Sequence, residues 1–388
     1  MVDITGGYLD ASATAPLRRE ALAAVNRVWA HGQANASSVH SAGHLAKSEL
    51  DRARSIVAHA FGIHEDAVVF TSGGTEANNL GIIGQALATP RGKHLVTTRI
   101  EHSSVLESCR FLHRVHGFDI SYIDVDHHGR LIEASLEKVI RPDTTLIAVG
   151  LANSEVGTVQ DCSMLADVAS AQHLPLHIDA VQAAPALPIN LTEGGWPGSA
   201  VSSMAIASHK FGGPQGMGAL LLPQDLPLEP IIHGGNHEGG RRAGTENVAG
   251  AAGFAAAVHT ATESIGSNAL SLIRSRDSLI NAILAAIPSA ELTGHPSERL
   301  PGHASFIFNG LSGESLLVAL DTAGFAVSTG SACKAGSAEA SPVLIAMGYT
   351  NDQAKSGLRF SLPAPLGERT QKRIVDILKE ETERRTKG

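Results

Sequence analysis

Along residues 45–210, short apolar runs alternate with stretches whose apolar positions recur every three to four residues. The runs are AVVF at 67–70, KHLVTT at 93–98, ISYIDV at 120–125, TLIAVG at 145–150, LPLHID at 174–179 and VSSMAIA at 201–207. Each is bounded by Gly, Pro or charge, the pattern of a strand. The stretches at 47–61, 75–88, 104–115, 132–139 and 162–172 predict amphipathic helices. Alternation of this kind needs crossover connections, which set neighbouring strands parallel with helices on both faces. In such sheets ligands collect at the C-terminal ends of the strands.

Beyond Gly218 the run ALLLP closes this region, and the glycine-rich segment HGGNHEGGRRAGTEN at 233–247 leads into an Ala-rich helix starting near Val248. A domain boundary belongs near there. The rest predicts a helix at 270–286, strands near SFIFNG and AVSTG, and a terminal helix at 371–384. A chain of 388 residues exceeds one ordinary core, so two units are expected. With no repeat or low-complexity linker between them, they should be packed together.

Composition narrows the function. At 43% hydrophobic and 18% charged residues, the chain has ample material for a packed interior. A net charge of -8 and a pI near 6.2 argue against direct nonspecific binding to nucleic acid or to anionic membranes. The start, MVDITGGYLDASATAPL, lacks a basic segment followed by an apolar run, and no stretch is long and apolar enough to span a bilayer, so a cytoplasmic protein is expected. Three cysteines, Cys109, Cys162 and Cys333, form no C-x-x-C pair and no disulfide framework. The 19 histidines are scattered, and the close pairs lack a third ligand, so no metal site is expected.

Three features carry chemistry. In SMAIASHKFGGPQGMGALLL, Lys210 follows a strand and precedes a glycine-rich turn, which permits close backbone approach to a Schiff-base lysine. Alone, such a lysine reads as a surface residue. In VVFTSGGTEANNLGI, residues 71–75 lie between a strand and a helix, where the N–H groups of Gly74 and Thr75 can hold a phosphate. In LPLHIDAVQAAP, Asp179 ends a buried strand, where a carboxylate needs a cation. A protonated pyridine nitrogen would supply one.

Phosphate loop, strand-end Asp and strand-end Lys occur in that order, the last two about one strand–helix–strand step apart. Further marks are YLDASATAP at 8–16, NASSVHSAG at 35–43, EHSSVLESC at 101–109, HGGNHEGGRRAGTENV at 233–248, STGSACKAG at 328–336 and LRFSL at 358–362. Together they resemble the pyridoxal-phosphate enzymes of fold type I, in the class V aminotransferase superfamily, and within it the cysteine desulfurases of the NifS/IscS type. The resemblance implies a large domain over residues 16–255 on a mostly parallel seven-stranded sheet. A smaller α/β domain, over 1–15 and 256–388, would carry the catalytic cysteine loop.

The same resemblance implies the roles of single residues. Lys210 would carry pyridoxal 5'-phosphate as a Schiff base, Asp179 would pair with its ring nitrogen, and Gln182 would reach its phenolic oxygen. His102 would stack on the ring and move protons. Gly74, Thr75, Ser208 and His209 would bind the phosphate, joined by Thr245 across a homodimer interface. Arg359 would clamp the substrate carboxylate with its planar fork, beside Asn153 and position 154. Three positions depart from the family pattern: Ser154 where Asn is usual, Ala207 where a phosphate-binding Ser is frequent, with Ser208 as its expected substitute, and Pro363 where Gly is usual.

Cys109 and Cys162 sit in two of the amphipathic helical stretches and read as small core residues. Cys333 lies among small, polar residues with Lys334 beside it, a setting that keeps its sulfur accessible and favours the thiolate. By resemblance, L-cysteine would take the place of Lys210 on the cofactor and give its sulfur to Cys333, leaving alanine and a persulfide. The sulfur would then pass to an acceptor protein serving Fe-S cluster assembly, tRNA thiolation or DNA phosphorothioation. The alternatives are another lyase or aminotransferase of the same fold, such as a selenocysteine lyase, or a degenerate homologue without catalysis.

Overall fold

All six expected strands form, and with the run after Gly218 they build one seven-stranded sheet. They are β1 (Val68–Thr71), β2 (His94–Thr98), β3 (Asp119–Ile123), β4 (Thr144–Gly150), β5 (Leu176–Asp179), β6 (Ser203–Ala207) and β7 (Gly218–Leu221), in the order β1-β7-β6-β5-β4-β2-β3. The structure, a computed structural model, describes residues 7–32, 34–88, 90–330 and 339–386. Strands β3, β2, β4, β5 and β6 are parallel. β7 runs antiparallel to both β6 and β1, so β1 points the same way as the parallel set. Every residue of β1, β2, β5, β6 and β7 is buried, as expected for a sheet covered on both faces.

The covering helices are α1 (Arg19–Ala30), α2 (Ser41–Phe61), α3 (Gly74–Asn79), α4 (Gln85–Ala88), α5 (Ser103–His116), α6 (Glu133–Val139) and α7 (Cys162–Gln172). A π-helical turn, Leu80–Gly84, joins α3 to α4, so the helix expected at 75–88 is one continuous helical run. Helix α8 (Val248–Ala286) is a single helix of 39 residues where the sequence predicts two. Its middle is polar, and the hydroxyls of Thr260, Thr262 and Ser264 donate back to carbonyls of the preceding turn. Those bonds satisfy the hydroxyls within the helix, and the apolar pattern pauses without the helix breaking.

The pause has a structural reason. The first part of α8, through Val258 and Ala261, packs in the apolar cluster of the large sheet. The last part, through Leu279, Ile280 and Ile283, packs in a second cluster with Phe306, Phe308 and Phe360. The passage between the two cores lies after Ala261, whereas Val248, near which the sequence suggests a boundary, packs in the first of them.

The second core covers an antiparallel sheet of β8 (Ala290–Thr293), β9 (His303–Phe308) and β10 (Gly357–Ser361), ordered β10-β9-β8. Helices α9 (Gly313–Thr322), α10 (Pro342–Ala346), α11 (Asn351–Lys355) and α12 (Glu368–Thr386) complete this region. SFIFNG supplies β9 as expected, but AVSTG makes only single bridges, Ala326 to Tyr8 and Ser328 to Arg359. The N-terminal segment lies along this edge: Leu9 N donates to Ala326 O, and Ser361 N donates to Leu9 O, both at 2.8 Å. That attachment carries Ser12 and Ala13 across to the large sheet.

Candidate active site

Because β1 points the same way as the parallel set, the C-terminal ends of β1, β2, β4, β5 and β6 meet on one side. The loops leaving them line a cavity of about 600 Å³, together with Arg359 of β10. Ten of the residues singled out in the sequence border it: Gly74 and Thr75 after β1, His102 after β2, Asn153 and Ser154 after β4, Asp179 and Gln182 from β5, His209 and Lys210 after β6, and Arg359.

Lys210 ends a 3₁₀ turn, Ser208–Lys210. Its Nζ donates to the carbonyls of Ser12 and Ala13, the latter at 3.0 Å. Gln182 Nε2 donates to the same Ser12 carbonyl at 2.9 Å. Ser12 is itself fixed, since its N–H donates to Ser361 Oγ at 2.8 Å and its hydroxyl contacts His303 Nδ1 at 3.2 Å. His209, next to Lys210, is pushed down to about 4 by burial and by the lysine charge, so it is neutral at physiological pH.

Asp179 accepts from Val181 N at 3.0 Å and from Asn78 Nδ2 at 2.8 Å. His102 caps α5, with Nδ1 accepting from Ser104 N at 3.1 Å, so the start of the helix sets its ring. Glu101 bridges two strand ends, accepting from Thr98 Oγ1 and from Gly150 N, both at 2.6 Å. Burial, and then the Asp179 charge, raise its carboxyl to about 7. Asn153 holds the loop after β4, accepting from Glu155 N and Val156 N and donating to Ile100 O.

Arg359 is 4% exposed although a strand-edge arginine reads, alone, as a surface charge. Its terminal nitrogens donate to Asp10 Oδ1 at 2.6 Å and Ser154 O at 2.9 Å. Its Nε is buried with no hydrogen-bond partner among the described residues. A buried donor of that kind is costly unless a ligand meets it.

Two expected residues stand elsewhere. Ser208 is fully buried and does not border the cavity; its Oγ lies so close to Gly213 that a Cβ there would fall 2.3 Å away. The residue facing the cavity at this turn is Ala207, while Ser208 Oγ is buried with no hydrogen-bond partner among the described residues. Thr245 is exposed and also outside the cavity. Cys333 lies outside the described residues. Cys109 and Cys162 are buried, which pushes both thiols up to about 12 and suits core residues.

The sequence reading gave no role to Asp10, Asn78, Ser104 or His177. Asp10, Asn78 and Ser104 stand inside quoted motifs, and His177 is the polar interruption in the β5 run LPLHID, two residues before Asp179, which is the signal that could have exposed it.

The chain matches the aminotransferase class-V family over residues 7–365. It is 40% identical over 356 residues to cysteine desulfurase IscS of Dictyoglomus turgidum, covering 92% of this chain and 89% of that one. A solved NifS-like protein superposes with a TM-score of 0.88 at 29% identity, over 96% of this chain and 98% of that one. SspA in complex with cysteine superposes with a TM-score of 0.79 at 30% identity, over 93% and 99%. With this fold and these relatives, the chain belongs to the class-V aminotransferases, a family of pyridoxal-phosphate enzymes, and within it to the NifS/IscS-type cysteine desulfurases.

Proposed function

We propose that this protein converts L-cysteine to L-alanine and keeps the sulfur as a persulfide on Cys333, for transfer to an acceptor protein. The observation that carries this reading is the shared cavity: Lys210, Asp179 and His102 border it together with Arg359, whose buried Nε has no hydrogen-bond partner among the described residues. An anionic amino acid held by Arg359 would lie beside groups suited to a cofactor aldehyde and ring nitrogen. The relatives favour desulfuration over the other reactions this scaffold supports.

The residues present fit pyridoxal phosphate. A Cβ at Gly74 would fall 2.7 Å from Val181 Cγ2, so only glycine lets the start of α3 approach the end of β5 this closely. The helical run from Gly74 presents backbone N–H groups toward the cavity for a phosphate. Asp179, buried at the end of β5, would keep a proton on a pyridine nitrogen. When bound, the cofactor supplies an electron sink for charge left at the substrate α-carbon.

The chain's own groups do the rest. Lys210, steadied by the Ser12 and Ala13 carbonyls, holds the cofactor until substrate arrives, and its amine is then free to move a proton at the α-carbon. Arg359 orients the substrate carboxylate, and His102, bordering the same cavity, handles protons. The Cys333 thiolate attacks the substrate sulfur: the carbon–sulfur bond breaks, a sulfur–sulfur bond forms, and the released carbon takes a proton to become the alanine methyl group. The net change, cysteine plus enzyme thiol to alanine plus enzyme persulfide, needs no external oxidant.

This reading includes a cytoplasmic homodimer in which Thr245 reaches the partner's phosphate site. Supporting it, Leu17, Leu22, Trp29, Val39 and Leu45 are exposed in the segment around α1 and α2. Among the described residues, no helix is long and apolar enough to cross a membrane. The direct test is to load the protein with pyridoxal phosphate, add L-cysteine and a reductant, and measure products. Alanine and sulfide in equal amounts, lost in Lys210→Ala, are expected; pyruvate, or transfer of the amino group to a keto acid, would contradict it.

A further inference from the structure

We propose that Asn78 is a positioning residue that fixes the proton of His102: it holds Asp179 with one amide hydrogen and, through Ser104 with the other, keeps His102 in the Nε2–H form. Six groups form one directed chain, five of them buried and the sixth, His102, at its exposed end. Asn78 Nδ2 lies 2.8 Å from Asp179 Oδ2 and 2.8 Å from Ser104 Oγ, and its Oδ1 lies 3.0 Å from His177 Nε2. Ser104 Oγ lies 2.7 Å from His102 Nδ1, and His177 Nδ1 lies 2.7 Å from Ser203 Oγ.

The chemistry of each group decides the direction. A carboxylate only accepts, so the Asn78 atom facing Asp179 must be the amide nitrogen, and the carbonyl oxygen then faces His177. His177 must donate from Nε2. Burial pushes its pKa down to about 3, so the ring is neutral and Nδ1 accepts from the Ser203 hydroxyl. Ser104 Oγ, accepting from Asn78, has its own hydrogen left to give to His102 Nδ1. The same Nδ1 accepts from Ser104 N at 3.1 Å. With Nδ1 accepting from two donors, the proton of neutral His102 resides on Nε2.

Asn78 is 1% exposed and His177 0%, so water does not compete for these bonds. A single amide thus couples the residue proposed to pair with the cofactor ring nitrogen to the residue proposed to move protons above it. The effect on turnover rests on the desulfurase reading; the proton position does not.

The test is nitrogen-15 NMR of the histidine rings in the full-length protein as isolated. Wild type should show His102 as a single Nε2–H tautomer with a hydrogen-bonded Nδ1. Asn78→Ala should shift the His102 ring nitrogens although residue 78 does not touch that ring, Ser104→Ala should do the same, and Ser104→Thr should restore the wild-type signals. In the loaded enzyme, Ser104→Ala should lower kcat about tenfold at unchanged KM, a fraction of the ~10²–10⁴ that acid–base assistance contributes in full. An Nδ1–H tautomer in wild type, or His102 signals indifferent to Asn78→Ala, overturns the proposal. Should the tautomer behave as stated in a protein that yields no alanine from cysteine, the positioning role stands and the functional reading falls.

Discussion

Arg359 donates to Asp10 Oδ1 at 2.6 Å, a pair that joins residues 349 positions apart and fixes the arginine before any substrate arrives. With its other terminal nitrogen on Ser154 O, the guanidinium is held on two sides while Nε has no partner among the described residues. Pre-orientation of this kind lowers the entropy cost of gripping a carboxylate.

Replacing Arg359 should therefore damage substrate binding and leave Asp10 without its cation. Loss of one partner of a buried hydrogen-bonded charge pair costs roughly 2–5 kcal/mol. Arg359→Ala should lower kcat/KM for L-cysteine by about a hundredfold or more, mainly through KM, with cofactor absorbance retained. Arg359→Lys should recover little, because an ammonium lacks the planar fork. Steady-state kinetics on both variants check this; an unchanged KM would remove Arg359 from the substrate site.

Ala207 faces the cavity where the family often has serine, and Ser208 points its hydroxyl at the Gly213 turn. Adding a hydroxyl at 207 supplies a donor to the proposed phosphate position, and a hydrogen bond to a charged group contributes roughly 1.5–3 kcal/mol. Ala207→Ser should tighten pyridoxal-phosphate binding about tenfold, measured by equilibrium titration of the apoprotein. Ser208→Ala should leave that affinity unchanged. The opposite ranking would mean that Ser208, not position 207, serves the phosphate.

Glu155 makes stability depend on pH. Burial raises its carboxyl from 4.5 to about 7, against the opposing pull of Ser341 and the Arg359 charge, and its Oε1 has no hydrogen-bond partner among the described residues. A folded-state pKa above the unfolded value means that the contribution is fully present below about pH 4.5 and is lost as pH rises through about 7. Glu155→Gln removes that dependence. At fixed excess of pyridoxal phosphate, the variant should gain on wild type between pH 4.5 and 7, by at most roughly 3 kcal/mol. Urea midpoints at pH 5 and pH 8 check this; a difference independent of pH would show that Glu155 ionises normally.

The strands of the large sheet were legible because buried parallel strands are continuous apolar runs, and six such runs became β1 to β6. Strand β8 was not, since only Thr293 of its four residues is buried. Helix α8 was read as two helices because its polar middle hides a continuity maintained by hydroxyl-to-carbonyl bonds. Lys210, Asp179 and Gly74 were visible because each sits at a strand end, a place that local pattern reveals. Asn78 was not, because its partners come from α5 and β5 and meet only in the folded sheet. Arg359 looked like a surface charge until β10 placed it against Asp10, a contact to which no periodicity points.

Cys333 is the proposed sulfur acceptor, and its persulfide can be weighed. When the loaded enzyme is incubated with L-cysteine without reductant and then digested, the peptide that contains Cys333 should gain the mass of one sulfur atom, reversed by reductant, with Cys109 and Cys162 unmodified and with no alanine formed by Cys333→Ala. Wild-type alanine production by Cys333→Ala, or sulfur appearing on another cysteine, would contradict that role.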